Sequence, residues 1–89
     1  MNRMRLEIQN IKGLHARASA KLVEVVESFD ADATVRKDGE STGGDSIMGL
    51  LMLAASIGTF IEVETRGPQA KELAAAIENL VADKFGEGD

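Results

Sequence analysis

At 89 residues and a net charge of −5, the chain is sized for one domain spanning residues 1–89, able to bury about 60–65% of its unfolded surface. It has no cysteine, which excludes disulfides and thiolate metal sites, and no segment approaches the length of a membrane span. Without a basic run, Trp or Tyr, and with only three Phe, it lacks the electropositive surface and stacking platform that nucleic acid requires.

The N-terminal residues Met1 to Glu7 lack the apolar stretch of a signal peptide, so the expected location is the cytoplasm. Met4, Leu6 and Ile8 alternate with Arg5, Glu7 and Gln9, which predicts a strand with one buried face. Asn10 to Leu14 then reads as a loop. Ala18, Leu22, Val25, Val26 and Phe29 fall at helical spacing opposite Arg17, Ala20, Lys21, Glu24 and Glu27, predicting a helix over Ala16–Ser28. Ala33 to Lys37 and Glu40 to Thr42 flank Asp38-Gly39, a dipeptide that accepts the positive φ angles of a two-residue hairpin turn.

Ser46 to Leu53 reads as a short apolar helix with Ser46 as its N-cap. Thr59 to Thr65 alternates again, with Ile61, Val63 and Thr65 on one face and Phe60, Glu62 and Glu64 on the other. Pro68 opens a last helix whose buried stripe is Ala70, Leu73, Ala74, Ile77, Leu80 and Val81, and Gly86 to Asp89 reads as a frayed tail. The order β-α-β-β-α-β-α with one-sided strands implies an α+β fold, an antiparallel sheet covered on one face by helices.

Chemistry concentrates at the only histidine, His15, in the run Gly13-Leu14-His15-Ala16-Arg17-Ala18-Ser19 at a helix start. First-turn N–H groups lack intrahelical partners, the helix dipole favours negative charge, and Arg17 adds a planar cationic fork. The imidazole supplies a nucleophilic nitrogen at neutral pH. The plain alternatives are a helix cap for His15, a solvated charge for Arg17 and loop punctuation for Gly13. One histidine without cysteine does not build a closed zinc site, and no carboxylate is placed behind His15 by the sequence. Ile47, Met48, Leu50, Leu51 and Met52 are too apolar for one buried face of a short helix, so part of this set is expected to form an exposed docking surface.

The run from Gly13 to Ser19, followed by Gly44-Asp45-Ser46-Ile47-Met48-Gly49, resembles the HPr family of phosphocarriers of the bacterial phosphotransferase system over essentially the whole chain. Leu50-Leu51-Met52-Leu53, Ile61-Glu62-Val63-Glu64 and Gly67-Pro68-Gln69 also resemble the family's nitrogen branch, NPr. The resemblance implies an open-faced β-sandwich and a carrier rather than an enzyme, monomeric, without cofactor or metal. Phospho-enzyme I, or its nitrogen-branch paralogue, would transfer a phosphoenolpyruvate-derived phosphoryl group to His15 Nδ1, and an enzyme IIA would accept it. The Ala16 N–H and Arg17 would hold that group, while Ala20, Ile47, Met48 and Leu51 would meet the partner.

It further implies regulatory phosphorylation of Ser46 by an HPr kinase/phosphorylase. Ala18 departs from the family, where proline is common. Two other readings compete. Gly43-Gly44-Asp45-Ser46-Ile47 also resembles the phosphopantetheine attachment motif of acyl and peptidyl carrier proteins, which are helical bundles. A purely regulatory binding protein, acting through its phosphorylation state, fits the same residues.

Overall fold

The computed structural model describes residues Asn2 to Glu87. Strand β1 (Asn2–Glu7) leads to helix α1 (Ala16–Glu27), the hairpin β2 (Asp32–Lys37) and β3 (Glu40–Gly43), helix α2 (Ile47–Met52), strand β4 (Phe60–Arg66) and helix α3 (Ala70–Ala82). A single 3₁₀ turn, Lys84–Gly86, follows. The four strands form one antiparallel sheet in the order β1-β4-β2-β3. Helix α3 packs on β1 and β4, α2 on β3, and α1 against both other helices, so the predicted order and one-sided covering hold.

The hairpin closes as its sequence demands: Lys37 pairs Glu40, with Asp38 at φ 52° and Gly39 at φ 84° in the two-residue turn. In β4 the alternation buries Ile61, Val63 and Thr65 completely or nearly so. Ile8, Leu22, Val35, Leu50, Leu73, Ile77 and Phe85 complete the centre of the core.

Three details depart from the sequence expectation. Along α1, Ser19 and Val23 are buried whereas Val25 and Phe29 are only partly so, because the helix packs against α2 and α3. Pro68 stands before α3, whose N-cap is Gln69. The expected frayed tail is ordered through Glu87. Phe85 is fully buried, and positive φ at Lys84, Phe85 and Gly86 turns the chain back toward the loop before α1. Gly88 and Asp89 lie outside the described residues.

Glu64 belongs to the outer face of β4 yet is only 7% exposed. Arg3 of β1 donates to its carboxylate at 2.7 Å, and Arg66 and Arg36 approach it at 3.3 and 3.9 Å. The hydrogen bond from Arg3 holds the Glu64 carboxyl below its ordinary value, against the opposing effect of desolvation. A lowered native pKa contributes stability at neutral pH that is lost as pH falls from 4.5, the unperturbed value, through the native one. Glu64→Gln is therefore expected to be less stable than wild type at pH 7 and indistinguishable from it in strong acid. Denaturant titrations at stepped pH check this, and a stability gap that persists in acid would assign the loss to packing instead.

Candidate functional site

His15 is the N-cap residue of α1, with extended backbone angles and no side-chain cap bond. Its carbonyl accepts from the Ser19 N–H at 2.9 Å, starting the helix, while the N–H groups of Ala16 and Arg17 have no intrahelical acceptor. Both residues are exposed and follow His15 directly. Ala18 is buried and α1 passes through it unbroken, so the absence of proline leaves the helix start intact.

The loop before His15 is held by close backbone approach. Gly13 has φ 63°, and a Cβ there would overlap the Ala55 carbonyl oxygen and lie 2.9 Å from Ser56 Cα. That same carbonyl accepts from the Leu14 N–H at 2.9 Å. Gly13 is thus required by conformation and by space, beyond loop punctuation. Asn10, fully buried, donates from Nδ2 to the Gly13 carbonyl at 2.8 Å and closes the loop on itself.

The expectation that no carboxylate stands behind His15 is corrected by Glu87. Its Oε2 pairs with His15 Nε2, and its Oε1 accepts from Asn10 Nδ2 at 3.0 Å. Since an ionised carboxylate only accepts, Nε2 carries the hydrogen of this bond, and in the neutral tautomer that keeps it Nδ1 carries the free lone pair. The hydrogen bond from His15 holds the Glu87 carboxyl below its ordinary value; desolvation opposes this, and Asn10 and Lys12 reinforce it. Lys21 donates from Nζ to the Phe85 carbonyl at 2.6 Å, fastening the turn that delivers Glu87.

Lys12, His15, Arg17, Lys21, Gly86 and Glu87 together line an open cleft of about 230 Å³. Lys12 and Lys21 were not singled out from the sequence, because isolated lysines carry no local signal of where they converge. A second depression of about 380 Å³ lies beside Phe60, whose ring sits 4.0 Å beneath the Arg5 guanidinium; it contains neither histidine nor a prepared nucleophile. Among the described residues no cluster of histidine, cysteine and carboxylates suits a metal ion, and no helix is long and apolar enough to cross a membrane.

Ser46 caps α2, its Oγ accepting from the Gly49 N–H at 3.0 Å. Beyond it Ile47 and Met48 are exposed, Leu51 is partly buried, and Leu50 and Leu53 enter the core. Met52, at 76%, is the most exposed large apolar residue among those described, and Ile11 and Ile57 add to the uncovered set. Ala20 is partly buried on α1.

A family model described as "PTS HPr component phosphorylation site" matches residues 3–83. The chain belongs to the HPr family of phosphotransferase-system phosphocarriers. HPr of Neisseria meningitidis serogroup B is 44% identical over 89 residues, covering all of both chains. NPr of Escherichia coli K12 is 42% identical over 83 residues, 92% of each, so overall identity does not separate the family's two branches. The crystal structure of an HPr from Thermoanaerobacter tengcongensis superposes with a TM-score of 0.93 at 34% identity, over 98% of each chain. An open-faced HPr sandwich excludes the phosphopantetheine-carrier reading of Ser46, which requires a helical bundle.

Proposed function

We propose that this chain is a cytoplasmic phosphocarrier that accepts a phosphoryl group on His15 Nδ1 from an enzyme I of the sugar or nitrogen branch and passes it to an enzyme IIA. The observation that carries this reading is the lone histidine at the α1 N-terminus, its Nε2 engaged by Glu87 and its Nδ1 left for chemistry. In this reading the Ala16 N–H and Arg17 stabilise the phosphoryl oxygens. An exposed site of moderate stabilisation suits a group that must be held and then surrendered. Ala20, Ile47, Met48 and Leu51 form the docking surface, and Met52 extends it.

Incubation with phosphoenolpyruvate and purified enzyme I of each branch tests the assignment: one acid-labile phosphoryl group per chain is expected, and the faster donor identifies the branch. Arg17→Ala should slow transfer about ten- to a hundredfold, as expected for losing a charge-assisted hydrogen bond of about 1.5–3 kcal/mol. Arg17→Lys, which keeps charge but loses the planar fork, should fall between. Rates unchanged in Arg17→Ala would remove this residue from the site.

Ser46 is read as the regulatory phosphorylation site, the substrate of an HPr kinase/phosphorylase. A phosphate there gains from the helix N-terminus and sets about −1.5 to −2 charges at the edge of the Ile47 and Met48 surface. The expected result is weaker donor association with little change in the chemical step, seen as a displaced dependence of rate on protein concentration. Ser46→Ala should transfer normally while losing about 0.5–2 kcal/mol of stability with its N-cap. Superimposable rate curves for phosphorylated and unmodified protein would reduce Ser46 to a helix cap.

A further inference from the structure

We propose that Glu87 is the positioning residue for His15: its carboxylate fixes the ring with hydrogen on Nε2, directs phosphorylation to Nδ1, and balances the charge that the phosphorylated ring acquires. This rests on the phosphocarrier reading of His15. The geometry behind it is a two-sided clamp. Glu87 Oε2 meets His15 Nε2, Oε1 meets Asn10 Nδ2, and the same Asn10 amide reaches the Gly13 carbonyl two residues before His15. The carboxylate is thereby tied to the loop that sets the height of the imidazole, and Lys21 secures the turn behind it through the Phe85 carbonyl.

The chemistry balances without moving a proton. The Nδ1 lone pair attacks phosphorus, and the donor's P–N bond breaks with its electron pair returning to the donor nitrogen. The product ring bears phosphorus on Nδ1 and hydrogen on Nε2, so it is formally cationic, and the carboxylate faces the nitrogen that carries this hydrogen. On onward transfer the P–Nδ1 bond breaks, the pair returns to Nδ1, and the ring is again neutral with its Nε2 hydrogen in place. By stabilising the cationic ring, Glu87 keeps the imidazole a good leaving group at neutral pH. Without it, the phosphorylated ring loses its Nε2 proton at lower pH and holds the phosphoryl group more firmly.

The test uses phosphoramidate, a small donor open to attack by either ring nitrogen with ammonia as leaving group, on the full chain, where His15 is the only histidine. Wild type should be phosphorylated at Nδ1, read by nitrogen and phosphorus NMR, and Glu87→Ala should give a mixture containing the Nε2 product. Glu87→Gln, isosteric but uncharged, should move the inflection in the pH profile of phosphohistidine hydrolysis down by about one unit, making hydrolysis about tenfold slower on the alkaline side. The charged groups sharing the cleft with Glu87 are Lys12, His15, Arg17 and Lys21, and working between about pH 5 and 9 stays clear of ordinary lysine and arginine titration. Amide spectra matching wild type establish that both variants are folded.

Either an unmoved inflection in Glu87→Gln or product confined to Nδ1 in Glu87→Ala overturns the proposal. Because phosphoramidate bypasses the protein donor, failure of enzyme I to label the wild type would overturn the carrier reading and leave the role of Glu87 standing.

Discussion

Replacing His15 with alanine is expected to reduce acid-labile phosphoryl incorporation from phosphoenolpyruvate and enzyme I to background while the domain stays folded. The loss is complete because no second imidazole exists in the chain to take the group. Folding survives because the His15 side chain is outside the apolar core and 27% exposed, and α1 begins through backbone bonds that alanine also makes. Circular dichroism establishes the fold, and quantification of acid-labile phosphate after gel filtration reads the chemistry. Acid-labile label retained by His15→Ala would place the acceptor elsewhere.

Gly13→Ala should produce the largest loss of stability of any single-methyl change near the site. A left-handed backbone costs a non-glycine residue about 1–2 kcal/mol, and forcing a methyl group into packed structure costs about 1–3 more. Together this is a large share of the roughly 5–15 kcal/mol that holds a domain folded. Relief requires the Ala55 carbonyl to retreat, which breaks its bond to the Leu14 N–H and displaces His15. Phosphorylation by enzyme I should therefore fall even at temperatures where the variant remains folded. Chemical denaturation measures the first effect and initial transfer rate the second; unchanged values of both would mean that the loop yields at no cost.

Local pattern made much of this molecule readable. The alternation from Ile61 to Thr65, the Asp38-Gly39 turn and the Ser46 cap each depend on neighbours in sequence, and each stands where its residues predict. His15 was legible for the same reason, being a reactive side chain at a helix start. Glu87 was not. It lies 72 residues from His15, in a Gly-Glu-Gly run whose composition suggests only a loose end. What orders it is the burial of Phe85, a tertiary event that no window of sequence contains. The partners of Glu64 are a further tertiary feature. Period-two alternation puts Glu64 outward beside Arg66 of the same strand, but only the register among β1, β4 and β2 adds Arg3 and Arg36.

The edge position of β1 has a consequence for when the site comes into being. Among the described residues its one partner strand is β4, with Asn2 opposite Thr65, so the strand leading to Gly13 and His15 has nothing to pair with until β4 has been made. Ala55, which anchors the Leu14 amide, and Glu87, which engages the imidazole, also come later. On the ribosome the histidine emerges early, yet its frame closes only through contacts of large sequence separation, the slow class of folding contact. A translation product interrupted before Glu87 carries His15 without the residues that frame it, so the proposed site is assembled long after its histidine is made.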